Sequence, residues 1–147
     1  MPPLLASPKY EIVRTRGQWG MITRSVLAVD LKDDPAVIEE YTMHHRQVWP
    51  EVLASLRRAG IVNMDIYILG RRLVMVVDTE GRDYQRCFAA HASSHPRVAE
   101  WEALMRSLQR PPPGAPPGEW WTEMRPVFSL TAAADSAACS MQNAEDP

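Results

Sequence analysis

The chain predicts an α+β fold in which two helices cover one face of a four-stranded antiparallel sheet. Three observations predict it: a strand-like run at Ser25 to Leu31, two β-type runs joined by a short turn around Gly70, and two stretches of helical period. One helical stretch follows the first strand and ends at Gly60; the other follows the paired runs, from about Asp83 to Leu108. A last β-type run, about Thr122 to Leu130, completes the order β-α-β-β-α-β.

Each element has its own local reason. SVLAVDL (Ser25 to Leu31) is rich in β-branched and aliphatic residues and stops at the turn-forming KDDP. Asp33 or Asp34 can cap the helix that follows, with Pro35 in its first turn. Ile38, Tyr41, Val48, Val52 and Leu56 recur in steps of three, four or their sum. Pro50 should kink that helix or reset its register just after Trp49, because it lacks the amide hydrogen and its ring clashes with the preceding turn. MDIYIL (Met64 to Leu69) and RLVMVVD (Arg72 to Asp78) form an antiparallel hairpin. SSHP (Ser93 to Pro96) interrupts the second helical stretch before VAEWEALMRSL resumes it. PPPGAPPG (Pro111 to Gly118) is a stiff, extended connector, and the last strand carries Met124, Val127, Phe128 and Leu130.

This order is the split arrangement of the ferredoxin-like fold, with two helices on one face of the sheet. The opposite face is left bare, and an apolar face of that size calls for a partner, so a homodimer packed through its sheets, a dimeric α+β barrel, is expected.

At 147 residues and 46% hydrophobic content, the chain can bury one sizeable core as a single domain, here about 21–130. Residues 1–20 have no period and read as a loosely docked arm, or Met21 is the physiological start; residues 131–147 have little to bury and read as a disordered tail. A net charge of -2 with no basic stripe argues against nucleic acid as a partner. Cys87 and Cys139 suggest neither a disulfide framework nor a zinc knuckle. No apolar run is long enough to span a bilayer and no signal-peptide segment leads the chain, so no membrane partner and a cytoplasmic setting are expected.

Helix phase separates the two adjacent histidines. Stepping from Ile38 by three and four reaches Tyr41, His45 and Val48, so His45 lies in the inward stripe directly above Tyr41. His44 is rotated by about 100° and falls at the edge of the stripe. Position in a helix by itself favours a core histidine satisfied by one hydrogen bond; the alternative is a neutral imidazole facing a cavity between helix and sheet. Trp49 and Trp101 could wall such a cavity, since apolar ring faces suit the C–H faces of sugars, or could be plain core. His91 and His95 have the i, i+4 spacing of metal ligands with Glu100 nearby, but Pro96 breaks the helix through them and the spacing is a weak signal. No glycine-rich phosphate loop and no nucleophile elbow are present, which disfavours nucleotide cofactors and covalent catalysis.

One combination of residues resembles a known family. Y-x-x-x-H-x-x-x-W-P-E (Tyr41, His45, Trp49, Pro50, Glu51), Ile66-Tyr67, the segment Glu100 to Met105 and a closing V-F-x-L (Val127 to Leu130) resemble the L-rhamnose mutarotase family over about Met21 to Leu130. The resemblance implies a dimeric ferredoxin-like protein that interconverts the α and β anomers of a 6-deoxy-L-sugar, a small monosaccharide, with no cofactor. It places the catalytic histidine on His45 and a sugar-binding tyrosine on Tyr41. This chain departs from the family at two positions: Met64 stands where a second sugar-contacting tyrosine is expected, and Glu100-Trp101 stand for a Trp-Trp pair. A carboxylate accepts two hydroxyl hydrogen bonds, so Glu100 implies a changed hydroxyl pattern, and because the segments DLKDDP, HHRQVWPEV and EWEALM resemble the branch of the family associated with fucose utilisation, L-fucose is favoured over L-rhamnose.

In the chemistry so implied, His45 donates a proton to the ring oxygen and accepts it on reclosure. Tyr41 holds a hydroxyl or relays a proton, Glu100 accepts a hydroxyl or acts as the complementary base, and Trp101 is a stacking wall. The competing expectation is a non-catalytic small-ligand-binding protein, or a cofactor-free monooxygenase of similar topology.

Overall fold

Asp34 starts the first helix: its carboxylate accepts from the Ala36 amide at 2.9 Å, and Pro35 occupies the first helical position, where its missing N–H costs no bond. The computed structural model describes residues 10–15 and 18–131, with side chains from Met21 onward. The elements run β1 (Tyr10–Thr15), β2 (Gln18–Leu31), α1 (Pro35–Arg46), α2 (Pro50–Arg58), β3 (Ile61–Leu69), β4 (Arg72–Glu80), α3 (Tyr84–Ala92), α4 (Pro96–Leu108), β5 (Gln109–Arg110) and β6 (Thr122–Glu123).

Proline divides both helical stretches in the same way. Pro50 opens α2 after the extended Trp49, and Pro96 opens α4 after the extended His95, whose Nδ1 accepts from the Arg97 amide at 3.0 Å. Each expected helix is therefore two helices, with the break where the proline ring excludes the preceding residue from helical backbone.

The strand order β1-β2-β4-β3, with β5 and β6 also on β2, is the ferredoxin-like arrangement. The fourth strand of that fold is divided here. β5 pairs with Asp30 and Leu31, the chain leaves along the Pro-rich connector, and β6 returns to Leu27 and Ala28. Thr122 to Leu130, expected as one strand, is paired only at Thr122–Glu123, with the Met124 amide also donating to the Val26 carbonyl at 2.7 Å; beyond it Pro126 has no hydrogen to offer a ladder. Within the N-terminal arm, β1 pairs with the start of β2 from Tyr10↔Thr23 to Thr15↔Gln18. Backbone pairing on a free strand edge needs no apolar period, which is why sequence pattern does not reveal it. The tail at 132–147 lies outside the described residues.

Register assigns the faces. Opposed residues Val29, Leu73 and Ile68, then Leu27, Met75 and Ile66, then Ser25, Val77 and Met64, form rows on the face the helices cover. The other face carries Ala28, Val74 and Tyr67, then Val26, Val76 and Asp65, bracketed by the ion pairs Arg72–Asp30 at 2.9 Å and Arg24–Asp78 at 2.8 Å. That face is mixed rather than uniformly apolar.

Gly60, between α2 and β3, has φ +100, and a Cβ there would meet Cys87 Sγ at 3.5 Å. Gly60→Ala should therefore lower the unfolding free energy by about 1–2 kcal/mol, through backbone strain rather than collision. Chemical denaturation checks this, and an unchanged midpoint would contradict it.

Candidate active site

Two aromatic residues and a histidine meet where α1 faces α4. Tyr41 is 4% exposed, and its ring stacks on His45 with centroids 4.2 Å apart. Trp101, also 4% exposed, meets His45 edge-on at 5.5 Å. The i, i+4 spacing on one helix brings the first pair together, and α4 supplies the tryptophan.

The histidine's tautomer follows from its partner. His45 Nδ1 lies 2.9 Å from the Tyr41 carbonyl oxygen, which can only accept, so Nδ1 donates and the neutral ring keeps its lone pair on Nε2. Burial lowers the His45 pKa below 6.5, with the Tyr41 carbonyl acting in the opposite sense and His44 adding to the lowering. At neutral pH the ring is therefore an uncharged base. Tyr41 is moved the other way: desolvation raises its pKa, a hydrogen bond with the Gln109 side chain opposes this, and the nearby Glu102 reinforces it. The phenol stays protonated at any working pH.

Both groups line a cavity of about 900 Å³ bounded by the four helices, by β3 along its edge, by β4 and by the end of the connector. That lies within the usual range of roughly 300–1,000 Å³ for small-molecule sites. Met64 lies in its wall on the β3 side, and Trp101 forms another part of the wall.

Trp49 and Glu100 are placed elsewhere. Glu100 Oε2 accepts from Arg97 Nη1 at 2.7 Å, and the Arg97 guanidinium lies 3.9 Å over the Trp49 ring. This stack is on the outer side of α4, where Trp49 meets Trp101 at 5.2 Å and lines a separate shallow groove with His44. Trp101 thus stands between the cavity and the Glu100–Arg97–Trp49 stack. His44 reaches Glu40 at 3.4 Å, away from Tyr41. His91 and His95 also part company: His91 is buried against Ser55, whereas His95 is an exposed helix cap.

Among the cavity residues that sequence reasoning did not single out are Glu102, Gln109, Trp120 and Trp121. The connector carries Trp120 and Trp121 back over the inner face, where Arg106 lies 4.9 Å over the Trp120 ring. A tryptophan pair one residue after a Pro-Gly run was the available signal. For Glu102 the signal was the acidic pair flanking Trp101, but helix phase could not say which of the two faced the cavity.

A ferredoxin-like fold enclosing an aromatic-walled cavity, with an uncharged imidazole base beside a phenol, a carboxamide and a carboxylate, defines an acid/base protein for a small polar ligand. The L-rhamnose mutarotase family model matches residues 24–130. The chain belongs to the L-rhamnose mutarotase family, whose members are named for isomerising a sugar at its anomeric carbon. It is 45% identical over 113 residues to a Xanthomonas campestris protein named L-fucose mutarotase, covering 75% of this chain and 90% of that one. It is 36% identical over 107 residues to a UPF0734 protein of Dictyostelium discoideum, covering 70% and 86%. The crystal structure of an L-rhamnose mutarotase from Formosa agariphila superposes with a TM-score of 0.51 at 19% identity, over 73% of this chain and 97% of that one, and so agrees in fold.

Nitrogen-detected NMR should report His45 as the Nδ1–H tautomer, with a pKa below 6.5. An Nε2–H tautomer at neutral pH would overturn the assignment of the free lone pair.

Proposed function

We propose that the protein is a cofactor-free mutarotase of a 6-deoxy-L-hexose, with L-fucose preferred over L-rhamnose, and that His45 carries the proton. The observation behind this reading is the His45 ring itself: Nδ1 is held by the Tyr41 carbonyl, which leaves Nε2 the basic atom at a cavity. Preference for L-fucose rests on the 45% identity to a protein of that name.

Nε2 accepts the proton of the anomeric hydroxyl while the C1–O1 bond becomes a carbonyl and the C1–O5 bond breaks. The imidazolium returns the proton to O5, giving the open aldehyde. Rotation about C1–C2 presents the other carbonyl face, and the same transfers in reverse close the ring as the other anomer. One group suffices because O1 and O5 share C1, and the proton count is unchanged over the cycle. The protonated Tyr41 holds a sugar hydroxyl, with Trp101 and Met64 as apolar wall. Glu100 and Trp49, in their outer stack, act on this site only through Arg97 and Trp101.

The working unit is proposed to be a homodimer joined through the outer sheet face, in the cytoplasm. Supporting it, Leu69 is 87% exposed and Tyr67 63% on the edge strand, and Val127 and Phe128 are 82% and 73% exposed on the C-terminal segment. So much apolar surface on a chain of this size is a usual mark of association.

His45→Ala should lower accelerated anomer exchange by about a hundredfold or more with the fold retained, the scale of one general acid/base group. Saturation-transfer NMR on both sugars measures it, and wild-type exchange no faster than buffer for either would sink the reading. Because neutral His45 is the active form and its pKa is lowered, activity should hold through neutral pH and fall on the acid side, below pH 6.5. A fall on the alkaline side near neutrality would instead require the imidazolium. Light scattering should give twice 16.6 kDa, and Val74→Asp, in the middle of the outer face, should reduce it to the single-chain mass.

A further inference from the structure

Glu102 is the cavity carboxylate of α4, and it touches a buried polar chain that the mechanism above does not use. Three helices and one break between helices supply the chain. Ser55 of α2 is 1% exposed and His91 of α3 is 3% exposed, and Ser55 Oγ lies 2.8 Å from His91 Nδ1. Ser94, between α3 and α4, reaches Ser55 Oγ at 2.6 Å and the His91 carbonyl at 2.7 Å. On the other side of the ring, His91 Nε2 is 3.3 Å from Glu102 Oε1.

The hydrogens can be assigned by chemistry. A lone pair on Nε2 would face a carboxylate oxygen, so the neutral His91 ring carries its hydrogen there. Nδ1 is then the acceptor, and the Ser55 hydroxyl donates to it. The Ser94 hydroxyl donates in turn to the His91 carbonyl or to Ser55 Oγ. Ser94, Ser55 and His91 satisfy one another, and beyond the ring Nε2 makes an ion-pair contact with Glu102 Oε1. Burying a serine and a histidine in a helical core carries a desolvation cost that apolar residues would avoid. The arrangement orients what lies at its exposed end.

That end is half in solvent, with the Glu102 side chain 50% exposed, and it lines the same cavity as His45. Its charge is felt by the Tyr41 phenol on the adjoining helix. Among the described residues no hydrogen bond to Oε2 is recorded, so that oxygen can accept from a ligand. Glu100 cannot do the same, because its carboxylate is turned outward onto Arg97.

We propose that Glu102 binds a hydroxyl of the sugar through Oε2, and that Ser55 and His91 are positioning residues that hold its carboxylate in place. This deepens the mutarotase reading and rests on it.

A charge-assisted hydrogen bond made equally in ground and transition states appears in KM. Glu102→Gln should therefore raise KM for the sugar about tenfold or more while kcat stays within about threefold. Ser55→Ala should raise KM about threefold, and the same change in a Glu102→Gln background should add nothing, because the two residues act as one unit. A purely structural role for Ser55 would persist in the double variant. Should Ser55→Ala not fold, His91→Leu, which removes the ring nitrogen facing Glu102, serves in the same cycle.

Saturation-transfer exchange rates over a range of sugar concentration give all of these values. An active wild type whose KM is unmoved by Glu102→Gln, a KM raised by Glu100→Gln instead, or additive effects in the cycle would each overturn the proposal and leave the mutarotase reading standing. A wild type that does not accelerate exchange removes both.

Discussion

The antiparallel register of β2 on β4, from Ile22↔Glu80 to Asp30↔Arg72, is the constraint from which the rest follows. A side-chain period of two means that a slip of β2 by one residue would send each of its side chains to the opposite face of the sheet. In the observed register Leu27, Val29, Leu73, Met75 and Val77 lie beneath the helices, and Asp30, Asp78, Arg24 and Arg72 lie opposite. The alternative register would put Arg24 and Asp30 under the helices, parted from Asp78 and Arg72, at a cost of several kcal/mol per unpaired ion, and so is not accessible.

Once that face is set, the helices have limited freedom. Pro50 and Pro96 break each helical stretch, so two short helices can follow the twist of the sheet where one long helix would leave it. The break at Trp49 also lets α2 present Ser55 to α3 while α1 presents Tyr41 and His45 to α4. Trp101 divides the resulting space. On its inner side lie the stacked pair Tyr41–His45 and the carboxylate of Glu102; on its outer side lie Glu100, Arg97 and Trp49.

Desolvation moves the pKa values of Tyr41 and His45 in opposite directions. Burial disfavours the phenolate and the imidazolium alike, so one group remains a hydroxyl donor and the other a neutral base. The backbone carbonyl of Tyr41 adds the one feature that burial alone cannot, a fixed tautomer.

Most of this frame was legible in the residues. Alternating β-branched runs, Asp34 before Pro35, and Gly70 in a tight turn are local signals, and they placed three strands, the helices and the proline breaks. Helix phase put His45 rather than His44 beside Tyr41, because a 3.6-residue period is a property of the chain itself. Tertiary structure alone decided the division of the last strand, the pairing of β1, the return of Trp120 and Trp121 over the cavity, and where the Glu100 and Glu102 side chains lie. Glu100 and Glu102 flank Trp101 symmetrically in sequence, and which of them faces the cavity depends on where α1 and α3 lie around α4. That is set by contacts between residues dozens of positions apart, of which Ser55 with His91 is one, and no local period carries that information.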